Sequence, residues 1–408
     1  MRARIEPGAL AGNVTPPASK SQTHRALIAA ALGNGESALR SFCWSRDIRA
    51  TADCLSALGA SWEETEPGTV RVQGLSRRDR KELPLLNCGE SGSTLRFLIP
   101  VALAAAGGGL FRGQGRLMER PLTPYFDIFR AKGIGYTPGQ DTLEVRGTLT
   151  PGDYHLPGNV SSQFITGLLM ALPILPGDSR ILLTEPLESA GYVDMTVEAL
   201  AAFGVGIETV SDGWLVPGNQ TYSPRDLTLE ADWSQAAFFL TAAFLGHDVK
   251  VSGLKNDSSQ GDRVMADFCC RMRTPGELAL DLSDCPDLAP ALAAAAALRA
   301  GEITHLTGAA RLRLKESDRL ASVTAVLSAL GAEITEHPDG LTLAGKARLS
   351  GGVTVDSWND HRIAMMAAVA ATKCENPVII DGGECVNKSY PGFWRDFAAL
   401  GAGMELIP

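Results

Sequence analysis

The sequence predicts an α/β chain of six helix-then-strand units arranged as two sets of three. Three observations lead there: a short pattern that returns along the chain, a length suited to two or three domains, and an ordinary globular composition. With 408 residues, and roughly 150 typical of one domain, the chain can bury sizeable cores. It is 45% hydrophobic and 20% charged, with 43 Gly and 23 Pro and no biased tract, which excludes disordered and fibrous architectures. A net charge of −9 gives no general attraction for nucleic acid or anionic lipid, so an anion site has to be built locally.

The recurring pattern is an apolar residue four before a glycine, the glycine, and an apolar residue three after it. Its copies are Leu55/Gly59/Trp62, Phe129/Gly133/Tyr136, Leu200/Gly204/Ile207, Leu327/Gly331/Ile334 and Phe397/Gly401/Met404, about seventy residues apart with one doubled gap. Each reads as an amphipathic helix, a glycine in the left-handed cap conformation, then a strand. Thr69-Val-Arg-Val follows the first copy, Thr142-Leu-Glu-Val the second and Leu341-Thr-Leu the fourth. The doubled gap leaves room for an eroded sixth copy around 267–282, with Met272 and Gly276-Glu-Leu-Ala-Leu standing in. Six units in one chain suggest two sets of three in preference to a single barrel, although helix-Gly-strand is also common in unrelated α/β proteins.

Eight cysteines (Cys43, Cys54, Cys88, Cys269, Cys270, Cys285, Cys374, Cys385) form no C-x-x-C pair and read as reduced thiols of a cytoplasmic protein. The opening residues lack the apolar run of a signal peptide, and the longest uncharged apolar segment, 161–177, is broken by Pro173 and Pro176. A soluble chain with no membrane partner is expected.

Several helix starts carry groups that suit anions. Lys20, Ser21 and Arg25 precede or open the run beginning at Ala26, where free backbone N–H groups favour negative charge. The stretch Asn87-Cys-Gly89-Glu-Ser-Gly92-Ser93-Thr94-Leu-Arg96 combines small residues with an arginine one turn into a helix. It is neither a P-loop nor a nucleophile elbow, which removes nucleotide hydrolysis and serine esterase chemistry. Further polar clusters abut apolar helices at Gly115-Arg116-Leu-Met-Glu119-Arg120-Pro121, Ser161-Ser162-Gln163, Lys315-Glu316-Ser-Asp318-Arg319 and Asn359-Asp360-His361-Arg362, and Lys388 adds another cation. Taken singly, each of these is better read as a solvated helix start; together they form the set expected of a reader of phosphate and carboxylate groups. The six histidines show no metal-ligand spacing, and each G-x-G lacks the third glycine of a dinucleotide fingerprint, so no metal, no nicotinamide or other cofactor, and no covalent serine is expected.

With these motifs in place, the chain resembles one family closely, the 3-phosphoshikimate 1-carboxyvinyltransferases, also called 5-enolpyruvylshikimate-3-phosphate (EPSP) synthases. The likeness runs from Ser19 to Lys388, and its most specific pieces are Ser19-Lys-Ser-x-x-x-Arg25, Leu187-Glu-Ser189-Ala-Gly-Tyr192-Val-Asp194, Lys315-Glu-Ser-Asp-Arg319 and Asn359-Asp-His-Arg362. The resemblance implies two inverse α/β domains, each of three β-α-β-α-β-β repeats, joined by a two-strand hinge. The first, discontinuous domain would hold residues 1–18 and 231–408 with part of the phosphoenolpyruvate site; the second, 19–230, would hold most of the shikimate 3-phosphate site.

The implied reaction transfers the enolpyruvyl group of phosphoenolpyruvate to the 5-hydroxyl of shikimate 3-phosphate, releasing phosphate by addition and elimination through a tetrahedral intermediate. By the same resemblance Ser21, Arg25, Ser161, Ser162, Gln163, Ser189, Tyr192, Asp287 and Lys315 would hold shikimate 3-phosphate. Lys20, Gly92, Arg116, Gln163, Arg319, Arg362 and Lys388 would hold phosphoenolpyruvate. Asp287 and Glu316 are the candidates for proton transfer, with Asp287 on the attacking hydroxyl, Glu316 nearer the methylene carbon, and Lys20 and Lys315 sharing these roles. The resemblance thus sets Lys20 and Arg116 facing Arg319, Arg362 and Lys388 across the hinge.

A monomer acting on small-molecule substrates, with no nucleic-acid partner, is expected. Position 90 departs from the family, with Glu where many relatives carry Asn, which puts an acidic group near the phosphoenolpyruvate pocket; Gly92 leaves that pocket's wall clear of a methyl, and inhibition by glyphosate is expected. The sister enzyme acting on UDP-N-acetylglucosamine shares the fold but places a reactive Cys in the loop where this chain has Gly113-Gln-Gly-Arg116-Leu-Met-Glu-Arg-Pro.

Overall fold

A computed structural model describes residues 1–76 and 82–408. The chain divides into a central unit, Ala18–Glu230, and a terminal unit made of Met1–Pro17 with Ala231–Pro408. Ala18 therefore belongs to the central unit, one residue earlier than the boundary read from the sequence. At the two crossings the backbone is paired: Asp232 donates its N–H to the Pro17 carbonyl at 2.9 Å, and Ser19 donates to the Glu230 carbonyl at 2.8 Å.

The central unit contains three four-stranded sheets, each ordered so that one parallel pair is followed by an antiparallel hairpin. In the first, Asp226–Thr228 runs parallel to Glu36–Arg40, which pairs antiparallel with Thr69–Gln73 and through it with Ser61–Glu66. Helices α1 (Lys20–Leu32) and α2 (Arg46–Leu58) serve this sheet. The second combines Leu85–Asn87, Gly108–Arg112, Thr142–Arg146 and Gly135–Pro138 with helices α3 (Gly92–Ala106) and α4 (Thr123–Lys132). The third combines Gly152–Pro157, Ser179–Glu185, Gly213–Val216 and Glu208–Val210 with helices α5 (Ser162–Ala171) and α6 (Ala190–Ala202).

The terminal unit repeats the scheme with one truncation. Ala11–Val14 and Asp248–Val251 form only a parallel pair, flanked by helices α7 (Trp233–Phe244) and α8 (Met265–Met272). The eroded copy anticipated around 267–282 is therefore a helix without its hairpin: the strand Leu278–Asp281 pairs parallel with Ile303–Thr307 and opens the next sheet. That sheet continues through Gly340–Ala344 and Glu333–His337 and carries helices α9 (Ala289–Ala297) and α10 (Arg319–Ala329). The last sheet joins Thr354–Asp356, Val378–Asp381, Arg2–Ile5 and Met404–Ile407, with helices α11 (His361–Ala371) and α12 (Phe393–Ala399). A further parallel pair links Leu349–Gly351 to Cys374–Asn376.

Local sequence explains the repeated turn. In α2, Ser45 caps the N-terminus by accepting from the Ile48 N–H, Ile48, Ala52, Leu55 and Leu58 line the buried face, and Gly59 ends the helix. Gly59, Gly133, Gly204, Gly331 and Gly401 all take positive φ, between +68° and +112°, a conformation that glycine adopts without a Cβ clash.

The first helix of each repeat is of another kind. α3, α5, α9 and α11 are apolar nearly all round and almost wholly buried, as inner helices of a layered domain must be. Each unit has its own apolar core. Five cysteines are buried, Cys43 and Cys269 are half-buried and Cys270 is exposed. No helix among the described residues is long and apolar enough to cross a membrane.

Candidate active site

Polar residues gather where the inner helices begin. In the central unit α1, α3 and α5 are tied together at their N-terminal turns. Gln163 accepts from Arg96 Nη1 at 2.7 Å and donates through Nε2 to Ser93 Oγ at 3.0 Å, so the start of α5 is bonded to the start of α3. His24, Thr51 and Thr94 form a buried relay of 2.8 Å and 2.7 Å between α1, α2 and α3. Burial, with Lys20 and Arg25 nearby, holds the His24 pKa well below its usual value, so this imidazole serves as a neutral strut. Ser161 caps α5 by accepting from the Gln163 N–H, and Ser162 is buried beside it.

Arg25 is the most enclosed of the expected phosphate ligands in this unit. Its Nε donates to Thr196 Oγ1 at 2.8 Å, Nη1 to the Ser21 carbonyl at 2.7 Å and Nη2 to the Tyr192 carbonyl at 2.8 Å. Burial pulls its pKa down to about 10, which leaves it charged at neutral pH. Ser21, Arg25 and Tyr192 are thus brought together. Ser189, next in that segment, precedes α6 with φ of +60°, a left-handed conformation that a serine adopts only under local constraint.

Around Gly92 the placement differs from the sequence reading. Lys20 pairs with Asp47, Nζ to Oδ2 at 2.9 Å, with both side chains largely buried. Arg116, expected beside Gly92, is instead half-exposed, its Nε 3.4 Å from Glu119. The guanidinium that lies across Gly92 belongs to Arg120: a Cβ built on Gly92 would meet Arg120 Nη1 at 2.5 Å and Nη2 at 3.0 Å. Glu90 turns toward the loop carrying Arg116, its carboxylate 2.8 Å from where a Cβ on Gly115 would stand. Sequence reasoning quoted Arg120 in its motif but chose Arg116, because both arginines share one short loop and only the 3-10 turn at Leu117–Glu119 decides which faces α3.

In the terminal unit the centre is Asp287, in the turn before α9. Its Oδ1 accepts from Arg319 at 2.7 Å and lies 3.4 Å from Lys315 Nζ, while Oδ2 accepts from Arg362 at 3.0 Å. Arg362 Nη1 also donates to the Asp287 carbonyl at 3.1 Å. Arg319 is shared among three carboxylates, reaching Glu316 at 2.6 Å and Asp360 at 2.8 Å besides Asp287. Burial alone would weaken its hold on the proton, but Asp360, Glu316 and Asp287 raise its pKa above the usual guanidinium value. Asp360, fully buried as the cap of α11, fixes Arg319 and Arg362 together by accepting from Arg319 Nε and from the Arg362 N–H. Lys388 is buried and donates to the Asn359 carbonyl at 2.5 Å. Asp287, Lys315, Glu316, Arg319 and Arg362 thus form one cluster, with Lys388 tied to the loop before α11.

Asp262 is a group that sequence reading missed. It is buried against Ser234, and burial together with Asp287 pushes its pKa up to about 6. Chemically, the arrangement offers donors for phosphate and carboxylate oxygens and two carboxylates, Asp287 and Glu316, within reach of the same arginine.

Comparison with known proteins agrees with this reading. The chain is 44% identical over 420 residues to the 3-phosphoshikimate 1-carboxyvinyltransferase of Clostridium kluyveri, covering 98% of this chain and 97% of that protein. It is also 44% identical over 425 residues to the enzyme of that name from Clostridium novyi, with the same coverage. Among solved structures, the EPSP synthase of Acinetobacter baumannii superposes with a TM-score of 0.82 at 26% identity over 100% of both chains. Residues 5–397 match the family model of EPSP synthase (3-phosphoshikimate 1-carboxyvinyltransferase), and the chain belongs to that family.

Proposed function

We propose that this chain transfers the enolpyruvyl group of phosphoenolpyruvate to the 5-hydroxyl of shikimate 3-phosphate, with Asp287 at the centre of the chemistry. The observation that carries the residue assignment is the carboxylate of Asp287 held by Lys315, Arg319 and Arg362. Ser21, Arg25, Ser161, Ser162, Gln163, Ser189 and Tyr192 bind shikimate 3-phosphate, assisted by Asp287 and Lys315. Lys20, Gly92, Gln163, Arg319, Arg362 and Lys388 bind phosphoenolpyruvate, and the loop arginine beside Gly92 is Arg120 in place of the half-exposed Arg116. The preformed bonds of Arg25, Arg319 and Arg362 support these roles, since cations already fixed in place lose little freedom when an anion arrives.

In the reaction, Asp287 accepts the proton of the 5-hydroxyl as its oxygen bonds to the central carbon of phosphoenolpyruvate, and Glu316 delivers a proton to the methylene carbon. The resulting ketal phosphate then loses a proton from the new methyl group and expels phosphate, restoring the double bond. Lys20 and Lys315 assist these transfers. Holding both anions in contact supplies most of the acceleration, since effective molarities of about 10⁵ to 10⁸ M are attainable.

The protein is proposed to work as a monomer in the cytoplasm, so light scattering should return a mass near 43.1 kDa. The functional test is phosphate release from phosphoenolpyruvate with each acceptor in turn. Release with shikimate 3-phosphate and none with UDP-N-acetylglucosamine is expected; the reverse pattern overturns the assignment.

A further inference from the structure

Three cations stand on the carboxylate assigned above as the proton acceptor. Lys315 lies 3.4 Å from Asp287, Arg319 2.7 Å and Arg362 3.0 Å. Opposite charges at such distances favour the ionised carboxylate and so weaken it as a base. A general base works best when its proton affinity lies near the working pH, which calls for a group that offsets the cations.

A second carboxylate is placed to do so. Asp262 sits in the 3-10 turn Gly261–Val264 that precedes α8, and it is only 2% exposed. This turn and the turn Pro286–Leu288, which carries Asp287, both pack against α7. Side-chain bonds to the start of that helix fix the segment. Gln260, also buried, accepts from the Trp233 N–H at 3.0 Å and donates through Nε2 to the Ala231 carbonyl at 2.9 Å. Ser234, in the first turn of α7, donates its hydroxyl to Asp262 Oδ2. The carboxylate is thus held in place by the fold itself.

The groups that face Asp262 come from three elements: Asp232 and Ser234 from the start of α7, Cys285 and Asp287 from the turn before α9, and Arg362 from α11. Burial, Asp287 and Asp232 disfavour its charge, whereas Arg362 and the Ser234 hydroxyl favour it, and the balance sets its pKa at about 6. Burial and then Asp262 push up the Cys285 thiol, two residues before Asp287, so the Asp262 charge is felt at that turn by a second group. At neutral pH Asp262 is mostly ionised and repels charge on Asp287. Near pH 6 it takes up a proton and the repulsion ends.

We propose that Asp262 is a positioning residue for proton transfer: its buried carboxylate, held by Ser234, strengthens Asp287 as a proton acceptor against Lys315, Arg319 and Arg362. The proposal rests on the functional reading above, in which Asp287 is the base, and adds a residue which that reading does not use.

The test compares kcat for phosphate release by the unmodified protein and by Asp262→Asn, with both substrates saturating, from about pH 5 to 8. Asn keeps the size of the side chain and one oxygen to accept from Ser234, but carries no charge. The phosphate groups of the substrates titrate in the same range, so the readout is the ratio of the two kcat values at each pH, in which their contribution cancels. A base weakened by about one pH unit loses at most about tenfold, so the unmodified protein should be faster by about 3- to 10-fold at about pH 7.5. The ratio should fall toward one at about pH 5, where Asp262 is protonated in the unmodified protein too, with its midpoint near 6. KM for phosphoenolpyruvate should not rise, because Arg362 loses a neighbouring negative charge and no ligand of the substrate is removed.

Ser234→Ala supplies a second arm. Without the hydroxyl Asp262 takes its proton at higher pH, so this variant should lag the unmodified protein between about pH 6 and 7 and match it at about pH 5 and 8. A ratio for Asp262→Asn that stays flat with pH, or that grows on acidification, marks structural damage or no role and overturns the assignment. A rise in KM for phosphoenolpyruvate with kcat untouched overturns it as well. If Asp262→Asn does not fold, the Ser234→Ala profile decides, and a ratio of one throughout overturns the assignment. Absence of phosphate release by the unmodified protein overturns the functional reading and this assignment together.

Discussion

Arg319 Nη1 stands 2.7 Å from Asp287 Oδ1, and the other oxygen of that carboxylate accepts from Arg362 at 3.0 Å. Two buried arginines from different helices are thus locked onto one half-buried carboxylate. Asp287→Asn keeps the shape of the side chain and one of its two acceptor oxygens but cannot take a proton. Turnover should fall by about 10²- to 10⁴-fold, the usual contribution of a general base, while shikimate 3-phosphate still binds. A fall in kcat smaller than about threefold would remove Asp287 from proton transfer.

Lys20 is held on Asp47 by a 2.9 Å ion pair at the first turn of α1. Because Lys20 opens α1 and Asp47 lies in the first turn of α2, the lysine is positioned without needing the substrate. Lys20→Met removes the charge while keeping the aliphatic stem. It should lower kcat/KM for phosphoenolpyruvate by about 10- to 100-fold, on the scale of a lost charge-assisted bond. The melting temperature should shift by only a few degrees. Near-normal kcat/KM would take Lys20 out of the site.

The repeat was legible because its signals are local: an apolar face, a glycine that must take positive φ, and a strand directly after it all lie within one short window. Gly59, Gly133, Gly204, Gly331 and Gly401 all behave in this way. Sheet completion was not legible, since Arg2–Ile5 pairs with Val378–Asp381 and Asp226–Thr228 with Glu36–Arg40, partners remote in sequence. The missing hairpin after α8 escaped for a related reason: Leu278–Asp281 has the pattern of a strand, but pattern alone does not reveal which sheet it joins. In the candidate site, charged residues announced themselves at helix starts, and Asp287, Arg319 and Arg362 do meet. The choice between Arg116 and Arg120 depended on a single turn, and the buried Asp262 carried no motif.

Arg299 supplies the contrast between a structural and a functional arginine. Buried, it donates to the Met272 carbonyl at 2.8 Å, the Thr274 carbonyl at 2.5 Å and the Ile303 carbonyl at 3.2 Å, and so ties the end of α8 to the strand at Ile303–Thr307. Replacement by Met leaves these carbonyls to find other partners. Arg299→Met should lose about 2–4 kcal/mol of unfolding free energy in urea titration, while activity per folded molecule stays at the unmodified level. Selective loss of substrate affinity with stability intact would contradict a structural role.

His247 provides a pH prediction whose sign follows from its bonds. Its Nδ1 accepts from the Leu10 N–H at 3.1 Å, so that nitrogen carries no proton, and its Nε2 lies 2.9 Å from Thr372 Oγ1. Thr372 donates its own hydroxyl proton to the Val369 carbonyl, which leaves its oxygen to accept from Nε2–H. Protonating Nδ1 would set two N–H groups against each other. Burial, reinforced by Lys373, accordingly lowers the pKa to about 4, against roughly 6.5 in the unfolded chain. Between those values the unfolded state binds the extra proton, so folding stability rises with pH through that window and is lost on acidification. His247→Asn keeps an acceptor for Leu10 without titrating. Its unfolding free energy, measured by urea titration from about pH 4 to 7, should therefore depend less steeply on pH than that of the unmodified protein, by up to about 1.4 kcal/mol per pH unit. His24, also depressed by burial, keeps a residual slope of the same sign in both proteins. Identical slopes in the two proteins would show that His247 titrates normally in the folded state.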